Sequence, residues 1–213
     1  MKKIVPAIIV LAALALLCVV FPPFHIRSLK AVREAAASQQ FNAADFAAGF
    51  WSEKLLPAAD QATDAANVLE KINSDPKTVR EQFGRTVGVG SSYYLFLRGD
   101  ARVVSADENS IGLSLKPVGD EAQIVVELGF VFGNAVRDAT GLIKASSYPN
   151  AQEFNDISAA LNSMVETNVL PQLQQVAKVG GHIQFIGCVE VGDEDMDLKP
   201  LKLVPIVAKE GKH

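Results

Sequence analysis

The chain has 213 residues, with 20 Lys and Arg, 24 Asp and Glu, three His and two Cys, and a formal net charge of −4. Nucleic-acid binding is excluded on this ground, because neutralising a phosphate backbone demands clustered Lys and Arg, and no basic patch occurs. Cys18 lies in an N-terminal apolar run and Cys188 near the other end, so the folded part contains no cysteine pair and its stability rests on packing.

Met1-Lys2-Lys3 is a short basic start, and from Ile4 to Phe21 no residue is charged or strongly polar. About 18 apolar residues is near the lower limit for a helix that crosses a hydrocarbon core. Pro22-Pro23 ends the run, and His25, Arg27 and Lys30 follow as a polar collar. Three readings of this segment stand: an uncleaved single-span anchor, lipid attachment at Cys18, and a cleaved signal peptide. Leu16-Leu17 before Cys18 is bulky where a lipoprotein peptidase takes small residues, and the anchor accommodates every residue. The basic start favours a cytoplasmic N-terminus. The expected location is therefore the bacterial inner membrane, with one span and a folded part in the periplasm or at the cell exterior.

Helical signals follow. Asn42 is a candidate cap with Asp45 in the first turn, and Leu55-Leu56-Pro57 should end or kink that helix. Ala58, Ala62, Ala65, Leu69 and Ile72 step at helical spacing. Asp75-Pro76 starts a further short helix, which Gly84 stops. At Gly84 the period changes to two. Thr86–Val89 is a short β-branched run, and Tyr93–Arg98 is a strong strand. Arg98-Gly99-Asp100 matches an adhesion tripeptide but reads as a plain β-turn, with the chain returning over Ala101–Ser105. Ile111 to Leu115, Ile124 to Leu128 and Phe130 to Phe132 read as further strands, with Gly129 and Gly133 at corners. Asn150 and Glu153 cap a helix whose stripe is Phe154, Ile157, Leu161 and Met164, interrupted at Pro171. Gly180-Gly181 opens a second β region, Ile183–Val191 and Leu201–Val207, with Pro205 marking an edge strand.

The expected architecture is α+β and β-rich: one or two small barrels of oligonucleotide/oligosaccharide-binding (OB) type, accessory helices and an N-terminal membrane helix. The divisions are 1–24 (anchor or signal), 25–84 (helical), 85–145 (first β-barrel unit) and 146–213 (helix plus second β unit). LLPAADQ (Leu55–Gln61) echoes VLPQLQQ (Val169–Gln175), and each copy precedes a strand of similar character. Duplication of a helix-plus-barrel unit and chance likeness both account for the echo.

The run Gly133-Asn134-Ala135-Val136-Arg137-Asp138-Ala139, with Phe154, Ile157, Ala160-Leu161-Asn162, Phe83-Gly84-Arg85 and Gly90-Ser91-Ser92-Tyr93, resembles a family of uncharacterised bacterial proteins described as predicted periplasmic lipoproteins. The resemblance implies OB-type barrels with accessory helices, often encoded near sugar uptake transporters, and it brings no catalytic residue with it. Cys18, with leucines before it, departs from the lipid-attachment pattern.

Candidate chemistry is sparse. Asp193-Glu194-Asp195-Met196-Asp197 has alternate carboxylates, but Leu198 and Val204 stand where a calcium loop needs Gly and Glu. The run reads as a solvated loop, and no metal site is expected. Gly88-Val89-Gly90 lacks the third glycine of a dinucleotide loop, Tyr93 standing in its place, and no cofactor is expected. His182 and Cys188 are six residues apart on one strand, about 20 Å, so no thiol–imidazole pair forms and no enzyme is expected. The candidate ligand-binding residues are Asn134, Arg137 and Asp138, where arginine can fork onto a carboxylate, and Tyr93 and Tyr94, whose rings can stack on a sugar. The competing reading makes Arg137–Asp138 a structural ion pair and the tyrosines core. The function expected is a non-enzymatic envelope accessory or ligand-binding protein, with the membrane and a component of a sugar ABC transporter as partners. The alternative is an interaction scaffold for a transporter without a small ligand.

Overall fold

The computed structural model describes residues 41–88, 90–148 and 150–211. The anchor, Cys18 and the polar collar lie outside the described residues. Among the described residues, no helix is long and apolar enough to cross a membrane.

Helix α1 (Ala43–Phe50) starts as expected: Asn42 Oδ1 accepts from the amides of Ala44 and Asp45 at 3.1 and 3.2 Å. It continues as a π-helical turn, Trp51–Leu55, in which the Leu56 amide donates to Trp51 O at 3.0 Å. Proline has no amide and clashes with the carbonyl four residues back, and the wider turn just before Pro57 removes that carbonyl from its path. The same solution recurs in the second half. Helix α5 (Ala151–Met164) widens into a π-turn, Val165–Val169, with the Leu170 amide on Val165 O, before Pro171 in α6 (Leu170–Val176). The two Leu-Pro echoes are thus one local device used twice.

After a 3-10 turn, Pro57–Gln61, a two-residue strand β1 (Thr63–Asp64) pairs with Leu97 and Arg98. Asp64 then caps α2 (Ala65–Ser74), accepting from the Ala66 amide at 2.8 Å. This helix therefore starts later than its apolar spacing suggests, although Ala58 and Ala62 are buried too. Short helix α3 (Val79–Phe83) ends at Gly84, where a Cβ would lie 2.5 Å from Arg80 O.

The barrel has five strands: β2 (Tyr93–Ala106), β3 (Ser110–Ser114), β4 (Ile124–Glu127), β5 (His182–Val191) and β6 (Leu201–Glu210). Their order, β2-β3-β4-β6-β5, closes through a β2–β5 pairing. Between β4 and β5 run α4 (Ala135–Asp138), α5 and α6. There is one barrel, not two, because β5 and β6 complete the sheet that β2 to β4 begin. The echo strands are antiparallel neighbours in it, paired from Tyr93↔Val191 to Arg102↔His182. Inward residues such as Leu95, Leu97, Val103, Leu113, Ile124, Val189 and Leu203 are at most 2% exposed and form the core.

Three strand expectations need correction. Arg98-Gly99-Asp100 is not a turn: β2 runs straight through it. Gly99 faces Phe185, and a Cβ there would lie 2.8 Å from the Phe185 ring, so the glycine makes room for that ring. Thr86–Gly88 is loop, and only Arg85 bridges to β2, through Tyr94. Phe130–Phe132 is also loop, and both rings lie in solvent. The β4–β6 ladder has only two pairs, Ile124↔Leu201 and Val125↔Lys202. Beyond them the two strands part, and Pro205 sits where β6 has no partner on that side.

Candidate functional site

Gly133 divides two unlike segments. Its φ is +85°, in the region that favours glycine, and a Cβ would lie 2.7 Å from Glu190 Oε2. Three side chains from distant elements fix the backbone here. The Val131 amide donates to Glu166 Oε1 at 2.7 Å, Asn162 Nδ2 donates to Gly133 O at 3.0 Å, and the Asn134 amide donates to Glu190 Oε2 at 3.0 Å. Ser158 Oγ also donates to Asn134 Oδ1 at 2.9 Å. Glu166 stands in the π-turn that follows α5, Ser158 and Asn162 on α5, and Glu190 on β5.

After Gly133, the four residues of α4 are all buried. Arg137 forks onto its neighbour: Nε and Nη2 donate to the two Asp138 oxygens at 2.7 and 2.8 Å. Nη1 donates to Phe154 O at 3.0 Å, and the guanidinium lies 3.5 Å from the centre of the Phe154 ring. Arg137 and Asp138 are 4% and 1% exposed. The pair thus ties α4 to α5, and the guanidinium is turned to internal partners.

Tyr94 joins this cluster from β2, its hydroxyl donating to Glu190 Oε1 at 3.4 Å. Burial, and then the Glu190 and Asp138 charges, push its phenol up to about 12 against the opposing effect of Arg137 and Asn134. Tyr93 points the other way, as successive strand residues must. It lies beneath Arg80, 5.6 Å from ring centre to guanidinium, and its buried hydroxyl has no hydrogen-bond partner. Burial, with the Glu194 charge second, pushes its phenol up to about 12 as well. Asn134, Arg137, Asp138 and Tyr94 are therefore brought together, and Tyr93 is apart from them.

The other reactive groups lie elsewhere. Cys188 is buried and its thiol is pushed up by desolvation. His182 Nδ1 is 3.1 Å from Asp100 Oδ1, at the far end of the β2–β5 pair from Glu190. Among the described residues no group of three or more His, Cys, Asp or Glu is placed to hold a metal ion. The acidic run forms short helix α7 (Glu194–Asp197), and Asp197 Oδ2 accepts from the Gly192 and Asp193 amides at 2.9 Å.

Before Gly133 the picture reverses. Phe130 and Phe132 are 80% and 82% exposed, with ring centres 6.4 Å apart. They overhang a cleft of about 190 Å³, floored by Val125, Val204 and Pro205 where β4 and β6 part. Glu127, Lys202 and Glu190 supply its polar groups. Reading the sequence for strands missed this surface, because apolar residues between two glycines mimic a short strand. The glycines at 129 and 133, bounding only three residues, were the available signal.

The sequence profile of the family described as "Predicted periplasmic lipoprotein (DUF2291)" matches residues 8–209. The chain belongs to this family. Membership supports an envelope-associated, periplasmic folded part attached to a membrane, and the matched stretch includes Cys18. Among solved structures, an OB-fold protein from Thermotoga maritima is similar, with 22% identity and a TM-score of 0.72 over 81% of this chain and 99% of that one. At that identity the likeness shows the fold alone. No curated protein matches the chain significantly.

Proposed function

We propose that this family member is a membrane-tethered accessory protein that works by contact and not by catalysis, and that the Phe130–Phe132 loop with its cleft is the contact surface. The exposure of two phenylalanine rings on a backbone pinned at three points carries this reading. Rigid aromatic anchors dominate binding energy because little freedom is lost when they are covered. Isolated exposed apolar residues need no explanation, but paired rings beside an apolar cleft do. On the usual ligand face of such barrels, the outer side of the second and third strands, the strands carry no aromatic ring, and the rings beside the part of it that Val125 and Glu127 share with the cleft come from the Phe130–Phe132 loop. The outward positions of that face are Ser110, Gly112 and Ser114 on β3 and Val125 and Glu127 on β4, and Gly112 lies against Ser105 and Ala122.

The test is a photo-crosslinking side chain at position 132 in intact membranes, with Val179 as the control. Val179 is 65% exposed and precedes β5, at the opposite end of the β2–β5 pair from Glu190. Adducts from 132 well above those from 179 are expected. Equal yields overturn the reading.

A second reading, a sugar or sugar acid bound in the cleft and connected with sugar uptake, is favoured by the Glu127, Lys202 and Glu190 groups beside the rings. On that reading a component of a sugar ABC transporter is the partner. A ligand that binds only the native state raises the melting temperature. A carbohydrate panel should contain a member that does so with the native chain and not with Glu127→Ala; a flat panel removes this second reading.

A further inference from the structure

We propose that the occupant of this contact surface is the bilayer itself: the Phe130–Phe132 loop enters the lipid–water boundary and gives the folded head a second attachment. The inference rests on the loop being a contact surface, as argued above. Several observations favour lipid over other occupants.

The first is the backbone. A loop that enters the lipid–water boundary loses less where its backbone polar groups already have partners, because the hydrocarbon offers none. Here the Val131 amide, the Gly133 carbonyl and the Asn134 amide are satisfied from below by Glu166, Asn162 and Glu190. The loop therefore presents its two rings outward on a backbone that is anchored inward at three groups. The second is the composition of the tip. Phe-Val-Phe between glycines has no charge and no side-chain hydrogen-bonding group, and aromatic rings favour the membrane interface.

The third is the disposition of charge. Two carboxylates near the rings are answered from within the protein, and the exposed Glu127 by a surface lysine. Glu190 takes the Asn134 amide and the Tyr94 hydroxyl, Glu166 takes the Val131 amide, and Glu127 lies 3.8 Å from Lys202. With a net charge of −4 the chain gains nothing from anionic lipid, so the attraction is apolar and insensitive to salt. The last is proximity. Family membership supports attachment of the chain to a membrane, and the stretch after the apolar run, about 20 residues, reaches at most ~70 Å when extended. A surface held so close meets the bilayer at high effective concentration, so even weak insertion is populated.

The experiment uses the full chain reconstituted into vesicles of phosphatidylethanolamine and phosphatidylglycerol, with or without brominated acyl chains. Trp51 is the single tryptophan, and Trp51→Phe makes the background silent. Phe132→Trp is compared with Val179→Trp, which carries the same intrinsic preference of tryptophan for the interface. Position 132 is 82% exposed, so the substitution leaves the fold intact. The expected result is a blue-shifted emission at 132, quenched about twofold by brominated lipid at low and high salt, with 179 unaffected. Phe130→Ser in the Phe132→Trp chain should reduce that quenching. Equal, water-like emission at 132 and 179 in pure lipid overturns the lipid proposal. If position 132 then becomes shielded in native membrane vesicles, the lipid proposal alone falls and a protein contact takes its place. If it stays exposed there too, the contact-surface reading falls as well.

Discussion

Phe130 and Phe132, just before Gly133, are 80% and 82% exposed, whereas Arg137 and Asp138, just after it, are 4% and 1% exposed. The usual placement of apolar and charged residues is thus reversed across one glycine. The two segments also differ in how they are held. The charged pair has covalent neighbours for partners and needs only α5 to close over it, through Phe154. The aromatic loop depends on Glu166, Asn162 and Glu190, reached across 29 to 56 residues of sequence. Gly133–Ala139, one of the runs that carry the family resemblance, thus acts chiefly inward. It positions the neighbouring loop, which meets the outside.

The largest effect should come from breaking the inward side. Arg137→Ala leaves Asp138 as a buried carboxylate without its counter-charge, and breaking such a pair costs about 3–5 kcal/mol. For a chain of this size that is a fall in melting temperature of about 10 °C. Urea unfolding followed by circular dichroism measures it. A loss below about 1 kcal/mol would place the pair among surface ion pairs, and the contrast between the two segments would disappear.

Gly133→Ala tests the junction itself. The new methyl meets φ +85° and Glu190 Oε2 at 2.7 Å. Residues forced into such backbone cost about 1–3 kcal/mol, and Glu190 must move away from the Asn134 amide. A smaller loss of stability than for Arg137→Ala is expected, with a larger change in the Phe130–Phe132 loop, seen as faster amide exchange at Val131. If exchange at Val131 is unchanged, the inward cluster does not position the loop.

Much of the fold was legible because its signals are local. Asn42, Asn150 and Gly84 mark helix ends through contacts within a few residues. The Leu-Pro pairs announced breaks, though not the π-turn that precedes each of them. Long-range pairing was less legible. Gly99 looked like a turn because the ring that fills its place, Phe185, lies on a strand more than eighty residues away. Whether the strands make one barrel or two stayed open, because they are split by the α4–α6 insertion. Asn134, Arg137, Asp138 and Tyr94 stood out by residue type as candidates to bind a ligand, and the fold brings them together around internal partners. Glu166 and Glu190 did not stand out, since each is an ordinary glutamate until the fold brings it to the Gly133 turn.

The smallest effect on stability, and the sharpest contrast, is expected outside. Phe130→Ser with Phe132→Ser removes two rings that touch mainly each other and solvent. Substitutions at such positions stay within about 0.5 kcal/mol each, so the double variant should melt close to the native chain. A buried phenylalanine would instead cost about 3–5 kcal/mol on truncation. Thermal melting by calorimetry separates these outcomes. A large loss would mean that the rings pack against the barrel in solution and cover the cleft. They would then be part of the core, with nothing exposed for a partner to meet. A near-neutral result leaves the cost of exposing two aromatic rings without a return inside the molecule, and the return must then be sought in what the loop touches.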